Sequence, residues 1–376
     1  MIKARTIKDQ IVEEIDSLSK NVIIVYGPRQ AGKTTLIESI LLERKEKIQK
    51  FTGDDLFAQD LFSKNELSSL KRALEGIELL VIDEAQRIEN IGLTLKLIID
   101  NLKVKVIVSG SASFDLANKI NEPLTGRTKT FYLYPFSYRE IKNDYSSVLN
   151  ESLMEEFLRF GMFPAVHNLK GEKEKQDYLI EYISNYLYKD ILVFGKVKKP
   201  KKILDLLTLL ALQSGKEVKI PELASNLSIS QKTVENYLDI LEKMFVIFNL
   251  RGFSRNLRKE ISKMSKYYFY DVGVRNAIIR NFNNLKIRGD AGDIFENWFI
   301  VEKIKAEKNE RNFPNFYFWR TYDQQEIDLI EEKEGKLYAY ECKIKEKSII
   351  IPKDWKASYP QASFNNINIG NYFNYL

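Results

Sequence analysis

The sequence predicts an α/β protein that begins with a sheet of fully buried strands and ends in a separate, mixed α/β domain. Two observations predict this order. Short apolar runs at residues 21–26, 79–84 and 104–109 each end in polar residues, which is typical of strands buried on both faces. Residues 315–344 hold three further strand patterns, after a long stretch of helical patterns. The predicted segments are 1–145, 146–200, 201–270 and 271–376, a division that 376 residues can support.

The composition excludes several classes of protein. With 44% hydrophobic and 29% charged residues, the chain has the balance of a soluble globular protein. One cysteine, Cys342, and one histidine, His167, exclude an intrachain disulfide and zinc sites rich in Cys and His. The N-terminal segment lacks the apolar core of a signal peptide, and no apolar run is long enough to span a bilayer. We therefore expect a cytoplasmic location and no membrane partner.

The loop after the first strand has the pattern GxxxxGK[ST] and is followed by a helical pattern. Gly27 and Gly32 let backbone N–H groups close on phosphate, Lys33 neutralises its charge, and Thr34 supplies a hydroxyl to Mg²⁺. The loop therefore predicts that ATP and Mg²⁺ bind here. The predicted cofactor-binding residues are Gly27, Pro28, Arg29, Gln30, Ala31, Gly32, Lys33, Thr34 and Thr35.

Two carboxylates end the second buried strand, LLVIDE. We expect Asp83 to hold the Mg²⁺ and Glu84 to polarise the water that attacks ATP. The third strand ends in Gly110-Ser-Ala-Ser113, so Ser109 or Ser111 is the candidate sensor of the γ-phosphate; an ordinary strand-to-loop turn is the alternative.

Arg127 follows a glycine turn. It is either a finger offered to the ATP of a neighbouring subunit or a plain surface arginine.

Five motifs in this order carry a resemblance: GPRQAGKTT, LLVIDEAQ, VSGSAS, LTGR and YPFSYREI. Together they resemble the AAA-type ATPases of the archaeal-ATPase clade. The resemblance implies a P-loop, doubly wound parallel sheet with ATP at the carboxyl ends of its strands. It also implies a C-terminal domain with the restriction-endonuclease-like fold. We further expect a homo-oligomer with ATP at the subunit interfaces.

The middle of the chain predicts a helical lid, a basic linker at 195–202 and a winged helix. Helical patterns at 204–213, 221–227 and 230–245 have the spacing of a helix-turn-helix, with Ser230 as an N-cap. The third helix is expected to contact DNA or only to pack against protein. The aromatic residues of the lid predict either a core or a base-stacking platform; they are Tyr182, Tyr186, Tyr188 and Phe194. The predicted wing, residues 245–270, carries Arg251, Arg255, Arg258, Lys259, Lys263 and Lys266.

The C-terminal strands carry a set of charged residues that matches the PD-(D/E)XK nuclease core: Glu296, Asp328, Glu341 and Lys343. We expect Asp328 and Glu341 to chelate Mg²⁺, Glu296 to complete that metal site, and Lys343 to stabilise the attacking hydroxide. The alternative is a domain that has kept the fold and lost the activity. The whole sequence thus predicts an ATPase that acts on DNA, or else a signalling or assembly ATPase whose C-terminal domains are catalytically silent interaction modules.

Overall fold

A computed structural model describes residues 3–111, 124–142, 151–194, 199–254, 265–346 and 350–376. The chain divides into two compact units. Unit 1 holds Met1–Pro135 and Lys243–Phe245, and unit 2 holds Phe136–Glu242 and Val246–Leu376. In the described part of the chain, no helix combines the length and the apolar character needed to cross a bilayer.

Unit 1 contains a five-stranded parallel sheet in the order β2-β3-β4-β1-β5. All five side chains of β1 are buried, as the apolar run predicts. The predicted α/β fold class with a doubly wound parallel sheet is confirmed. The strands are β1 (Val22–Tyr26), β2 (Ile48–Thr52), β3 (Leu79–Asp83), β4 (Lys105–Gly110) and β5 (Thr128–Tyr132).

The helices of unit 1 connect these strands and cover the sheet. Ile11 of the first helix and Leu36 and Ile40 of the second are buried in one core with Ile23 and Val25 of β1. A 3-10 turn at Ala85–Arg87 follows β3. The helices are α1 (Lys8–Asp16), α2 (Lys33–Leu41), α3 (Leu56–Ser63), α4 (Leu67–Ala73) and α5 (Ile91–Asn101).

Unit 2 begins with helices and ends with the strands of a second sheet. Between the helices Ile220–Leu227 and Gln231–Lys243, Ser228 adopts a left-handed φ of 53°, and Ser230 Oγ accepts a hydrogen bond from the Thr233 amide at 3.2 Å. The described helices are α6 (Tyr138–Ile141), α7 (Glu151–Phe160), α8 (Pro164–Asn168), α9 (Glu172–Glu181), the π-helix Tyr182–Leu187, α10 (Tyr188–Phe194), α11 (Pro200–Leu212), α12 (Ile220–Leu227), α13 (Gln231–Lys243), α14 (Val272–Ile278), α15 (Ala291–Asn309) and α16 (Lys353–Ser358), with 3-10 turns at Leu285–Ile287 and Tyr372–Asn374.

The second sheet is mixed and has six strands in the order β11-β10-β9-β8-β6-β7. Helix α15 buries Phe295, Trp298 and Phe299 in a core that also contains Phe318 and Leu329 of the sheet. The strands are β6 (Ile247–Gly252), β7 (Ser265–Phe269), β8 (Asn315–Arg320), β9 (Glu326–Lys333), β10 (Lys336–Cys342) and β11 (Ser363–Ile367).

The strands predicted to form a separate wing belong to this second sheet. Strands β6 and β7 pair antiparallel with each other, and β6 also pairs in parallel with β8 through Arg251 and Gly252. This difference arises because β6 is mostly buried and needs a hydrogen-bonded neighbour on both sides. The structure therefore joins, in one unit, segments that the sequence predicts to be a winged helix and a separate C-terminal domain.

Several predicted residues lie outside the described residues. They are Ser113, the linker residues 195–198, and four basic residues of the predicted wing, Arg255, Arg258, Lys259 and Lys263. In the lid, Tyr182 is buried, in agreement with a core role.

Substitution of Gly161 tests how unit 2 is held together. Gly161 has a φ of 73°, and a Cβ there would lie 2.0 Å from Oδ1 of Asp271. Asp271 accepts hydrogen bonds from the amides of Met162 and Val274, so displacing it would leave buried donors without a partner. We expect Gly161→Ala to lower the free energy of unfolding by about 2 kcal/mol or more.

Thermal unfolding measures this effect, with Gly289→Ala as the control because a Cβ there meets no atom within 4 Å. Equal melting temperatures for the two variants would show that Asp271 tolerates the displacement.

Candidate nucleotide site and carboxylate cluster

The loop between β1 and α2 depends on glycine at two positions for different reasons. Gly32 adopts a left-handed φ of 94°, which side chains rarely allow. At Gly27 the constraint is space, because a Cβ would lie 2.0 Å from the carbonyl oxygen of Leu133 at the end of β5. Gln30 also has a positive φ, of 61°. The loop is therefore bent over the carboxyl end of the sheet.

Lys33 lies inside this loop as the first residue of α2 and is 5% exposed. Its Nζ donates hydrogen bonds to the carbonyl oxygens of Gly27 and Pro28, each at 2.9 Å. The ammonium group is thus held beside the N-terminal amides of a nine-residue helix, where a phosphate group binds favourably.

Asp83 connects the loop to two neighbouring strands. Its Oδ2 accepts a hydrogen bond from Thr34 Oγ1 at 2.7 Å, while its Oδ1 accepts from the Glu84 amide at 3.0 Å. Ser109 at the end of β4 also donates to Oδ1 and is fully buried. The two predicted Mg²⁺ ligands, Thr34 and Asp83, are therefore in direct contact.

Glu84 is held next to this pair in a left-handed conformation, with φ 49°. Its backbone packs on Gly53, where a Cβ would lie 2.2 Å from the Glu84 carbonyl oxygen. The carboxylate accepts hydrogen bonds from Gln86 Nε2 and, at 3.3 Å, from Ser111 Oγ. The two sensor candidates thus have different partners, since Ser109 contacts Asp83 and Ser111 contacts Glu84.

Sequence reasoning missed Gln86 and Arg5. Gln86 is 2% exposed and bonds both Glu84 and Ser111. Arg5 is 8% exposed and donates to the carbonyl oxygens of Ala31 at 2.8 Å and Tyr134 at 2.5 Å. Gln86 follows the carboxylate pair by two residues, which is a usable signal. Arg5 precedes the loop by more than twenty residues, and no local pattern marks it.

Of the remaining predicted residues of unit 1, some lie at the phosphate loop and one, Arg127, lies away from it. Arg29 and Gln30 lie in the loop, and Thr35 is exposed on α2. Arg127 lies at the opposite edge of the sheet, because its carbonyl oxygen accepts from Val22 at the amino end of β1. There it forms an ion pair with Asp100. The structure therefore does not bring Arg127 to the nucleotide site of its own chain.

A cleft of about 290 Å³ opens beside Thr34 and Asp83. Its apolar wall is formed by Ile37 and Leu41 of α2 and Val81 of β3. The Thr34–Asp83 pair is therefore accessible from this cleft.

The predicted nuclease residues of unit 2 lie near one another but are paired with lysines. Lys343 Nζ is 2.6 Å from Glu341 Oε1 and 4.0 Å from Asp328 Oδ2. Lys266 of β7 is 1% exposed, and its Nζ is 3.7 Å from Glu296 Oε1. The sequence predicts Lys266 to lie in the wing, whereas the structure places it in this cluster.

The carboxylates of this cluster are hard to ionise. Burial and the Asp328 carboxylate raise the pKa of Glu296 to about 8, and the same two causes raise the pKa of Glu341 to about 7. Burial also raises the pKa of Asp328. Burial would lower the pKa of Lys266, but Glu296, Asp328 and Glu326 hold it above its usual value.

The prediction of a divalent metal at Glu296, Asp328 and Glu341 is not supported by their arrangement. Among the residues that the structure describes, no three His, Cys, Asp or Glu side chains are grouped so that they could hold a metal ion. Glu296 Oε1 accepts from Tyr268 at 2.6 Å, and Asp328 Oδ2 accepts from the Cys342 amide at 2.8 Å. One oxygen of each of the three carboxylates therefore accepts from a donor of the protein, which for Glu341 is Lys343.

Comparison with protein families divides the chain into three segments. Residues 19–142 match the model of a family described as an AAA domain. Residues 151–285 and 291–359 match two domains of unknown function, DUF8612 and DUF4143. Residues 19–142 therefore match an AAA domain, which supports the predicted nucleotide-hydrolysing ATPase. The winged helix and the nuclease-like domain stay predictions.

Relatives occur in bacteria and archaea. An uncharacterized protein of Mycobacterium tuberculosis is 28% identical over 328 residues, which cover 86% of this chain and 70% of the relative. An uncharacterized protein of Methanocaldococcus jannaschii is 26% identical over 389 residues, which cover 98% of this chain and 85% of the relative.

Among solved structures, the chain is similar to a signal transduction ATPase with numerous domains (STAND) protein with a tetratricopeptide repeat sensor from Pyrococcus horikoshii. The TM-score is 0.32 at 16% identity, and the match covers 81% of this chain and 46% of that structure. A structure of Pif1 helicases at forked DNA matches with a TM-score of 0.27 at 14% identity, covering 48% of this chain and 52% of that structure. The chain thus spans about half the length of these structures.

Arg5→Lys tests whether the N-terminal segment supports the phosphate loop. Lysine keeps the charge but has one nitrogen in place of the two guanidinium nitrogens, Nη1 and Nη2, that donate to Ala31 and Tyr134. We expect the free energy of unfolding of unit 1 to fall by about 1.5–3 kcal/mol and ATP to bind more weakly.

Thermal unfolding and ATP titration measure the two effects. Arg72→Lys is the control, because Arg72 is exposed on α4. An Arg5→Lys chain with the melting temperature and ATP affinity of its parent would exclude this role for Arg5.

Proposed function

We propose that this chain is an Mg²⁺-dependent ATP hydrolase that acts on DNA through unit 2. The proposal of Mg²⁺-dependent ATP hydrolysis rests on the set of hydrogen bonds around Asp83. A P-loop hydroxyl, Thr34, and a buried serine from the intervening strand, Ser109, both donate to this one carboxylate.

Thr34 and Asp83 are the residues that would hold Mg²⁺. They fit this ion because it prefers oxygen ligands, and the partners of Asp83 are neutral hydroxyl and amide groups that leave its negative charge uncompensated. When bound, Mg²⁺ supplies positive charge to the phosphate oxygens. Lys33 adds the second positive charge at the phosphates, from within the loop.

Glu84 is the residue that we assign to the attacking water. Gln86 and Ser111 donate to its carboxylate, which fixes the orientation of the side chain. Arg127 is assigned to the ATP of a neighbouring subunit in a homo-oligomer. Its exposed position, with 47% of the side chain accessible, supports this assignment, and its ion pair with Asp100 would have to exchange.

Helix α13 and the start of α11 support the proposal that unit 2 contacts DNA. Helix α13 exposes Gln231, Lys232 and Asn236. The Tyr237 hydroxyl of the same helix donates to the Lys199 carbonyl oxygen in a long hydrogen bond of 3.5 Å, which keeps the basic residues Lys199 and Lys201 close to it. In DNA-binding helices, polar side chains contact the base edges and neighbouring lysines bind the phosphates, and this part of unit 2 offers both.

Glu84→Gln tests the hydrolase part. ATP with Mg²⁺ should still raise the melting temperature of this variant, because the Thr34–Asp83 pair and Lys33 are intact. Hydrolysis should fall at least about 100-fold, since the group that polarises the water is lost. Phosphate release and thermal shift are the two measurements, and chelation of Mg²⁺ should abolish hydrolysis by the parent chain.

Two further variants serve as controls for this measurement. Glu89→Gln removes an exposed carboxylate a few residues away and should leave hydrolysis unchanged. Lys33→Ala should lose the thermal shift. Hydrolysis by Glu84→Gln at the rate of the parent would overturn the assignment of Glu84.

Reversing the charge of Lys199 and Lys201 together tests the DNA contact. We expect duplex DNA to bind more weakly and the slope of log affinity against log salt to flatten by about two, since each neutralised phosphate contributes roughly −0.9. The control reverses Lys170 and Lys173, which are also exposed in unit 2.

An electrophoretic shift at several salt concentrations compares the DNA affinity of the parent chain, the Lys199 and Lys201 variant and the control. A parent chain that shifts neither duplex nor branched DNA would favour the other function, an ATPase that drives assembly with partner proteins.

A further inference from the structure

The carboxylate cluster of unit 2 contains a lysine that comes from outside the predicted nuclease motif. Lys266 belongs to β7, and its Nζ forms an ion pair with Glu326 and lies 3.7 Å from Glu296. The ammonium group also lies 5.2 Å from the centre of the Phe318 ring. With 1% of its side chain exposed, Lys266 is enclosed by these groups and cannot turn out to solvent.

A second lysine is paired with the other two acidic residues. Lys343 lies 2.6 Å from Glu341 and 4.0 Å from Asp328. Each of the three acidic residues that were expected to bind metal therefore has an ammonium group of the chain itself within 4.0 Å.

We propose that Lys266 is the resident cation of this cluster, and that Glu296, Asp328 and Glu341 bind no divalent metal ion. Unit 1 offers the comparison within the same chain. There, the carboxylates of Asp83 and Glu84 accept from hydroxyl and amide groups, which orient them without neutralising them. In unit 2 the donors include two ammonium groups, whose positive charge offsets part of the carboxylate charge and repels a divalent cation.

One carboxylate oxygen of the cluster, Glu341 Oε2, is buried and accepts no hydrogen bond from the described residues. A single oxygen is not a ligand set for Mg²⁺, which takes six ligands in an octahedron and is reluctant to lose its water. Lys343 lies on the other oxygen of the same carboxylate, so a metal ion at Oε2 would also meet its positive charge.

Lys266 is thus a positioning residue that holds Glu296 and Glu326 together, and unit 2 does not cleave DNA by metal-dependent hydrolysis at this cluster. Metal binding at this cluster is measured without DNA. A chain that fails to bind DNA is recognised in the electrophoretic shift, and its Mn²⁺ binding can still be measured.

The test measures Mn²⁺ binding from the electron paramagnetic resonance signal of the free ion. Every chain carries Asp83→Asn, so that the nucleotide site does not contribute. We expect this parent to bind no Mn²⁺ at millimolar concentrations. Adding Lys266→Gln should create one Mn²⁺ site per chain, and adding Asp328→Asn as well should remove it. A role of Lys266 in packing alone would not produce this gain.

Lys286→Gln, at an exposed lysine of unit 2, is the control and should create no site. Binding of Mn²⁺ by the parent that Asp328→Asn removes would overturn the proposal, and so would a folded Lys266→Gln chain that gains no site. If Lys266→Gln does not fold, the parent and its Asp328→Asn variant still decide. Supercoiled plasmid should also stay intact with Mn²⁺ and the wild-type chain, whereas nicking that Glu341→Ala abolishes would contradict the proposal.

Discussion

The pairing of β4 with both β1 and β3 is the constraint on which the nucleotide site depends. Because the three strands are parallel, their carboxyl ends meet at one edge of the sheet. This edge brings together the loop that ends in Thr34, the Asp83–Glu84 pair and Ser109, which are far apart in sequence. A shift of one residue in the pairing of β4 would turn Ser109 to the other face of the sheet and remove its hydrogen bond to Asp83.

The same edge holds backbone conformations that are unfavourable in isolation. Gln30 and Glu84 have positive φ values, and Gly27 and Gly53 approach carbonyl oxygens so closely that no side chain fits. Such conformations persist only where the surrounding structure fixes them, and they are found more often at functional sites. Here they fix the phosphate loop and the carboxylate of Glu84 before a ligand arrives, with Arg5 connecting the loop to the end of β5.

The carboxylates of the two units have different hydrogen-bond and ion-pair partners. Asp83 and Glu84 accept hydrogen bonds from neutral hydroxyl and amide groups. In unit 2 the chain supplies its own cations, and α15 repeats this with a fully buried ion pair between Glu302 and Lys305. Removing one partner of such a pair leaves an uncompensated charge, which typically costs about 3–5 kcal/mol. The two sites thus differ in the kind of donor, which is a hydroxyl or amide group at Asp83 and Glu84 and includes ammonium groups in the cluster of unit 2.

The sequence alone determined the elements and the residues at their ends. Apolar runs predicted β1, β3, β4 and β8, and the glycine and carboxylate motifs identified Lys33, Thr34, Asp83 and Glu84, because the spacing of these residues is a local property of the chain. Only the tertiary structure decided that β6 pairs with β8, that Lys266 enters the carboxylate cluster, and that Arg5 reaches Ala31. Arg127, in turn, lies at the edge of the sheet away from its own phosphate loop. Each of these features depends on contacts between residues distant in sequence, and the periodicity of a single segment carries no information about which distant segment it will meet.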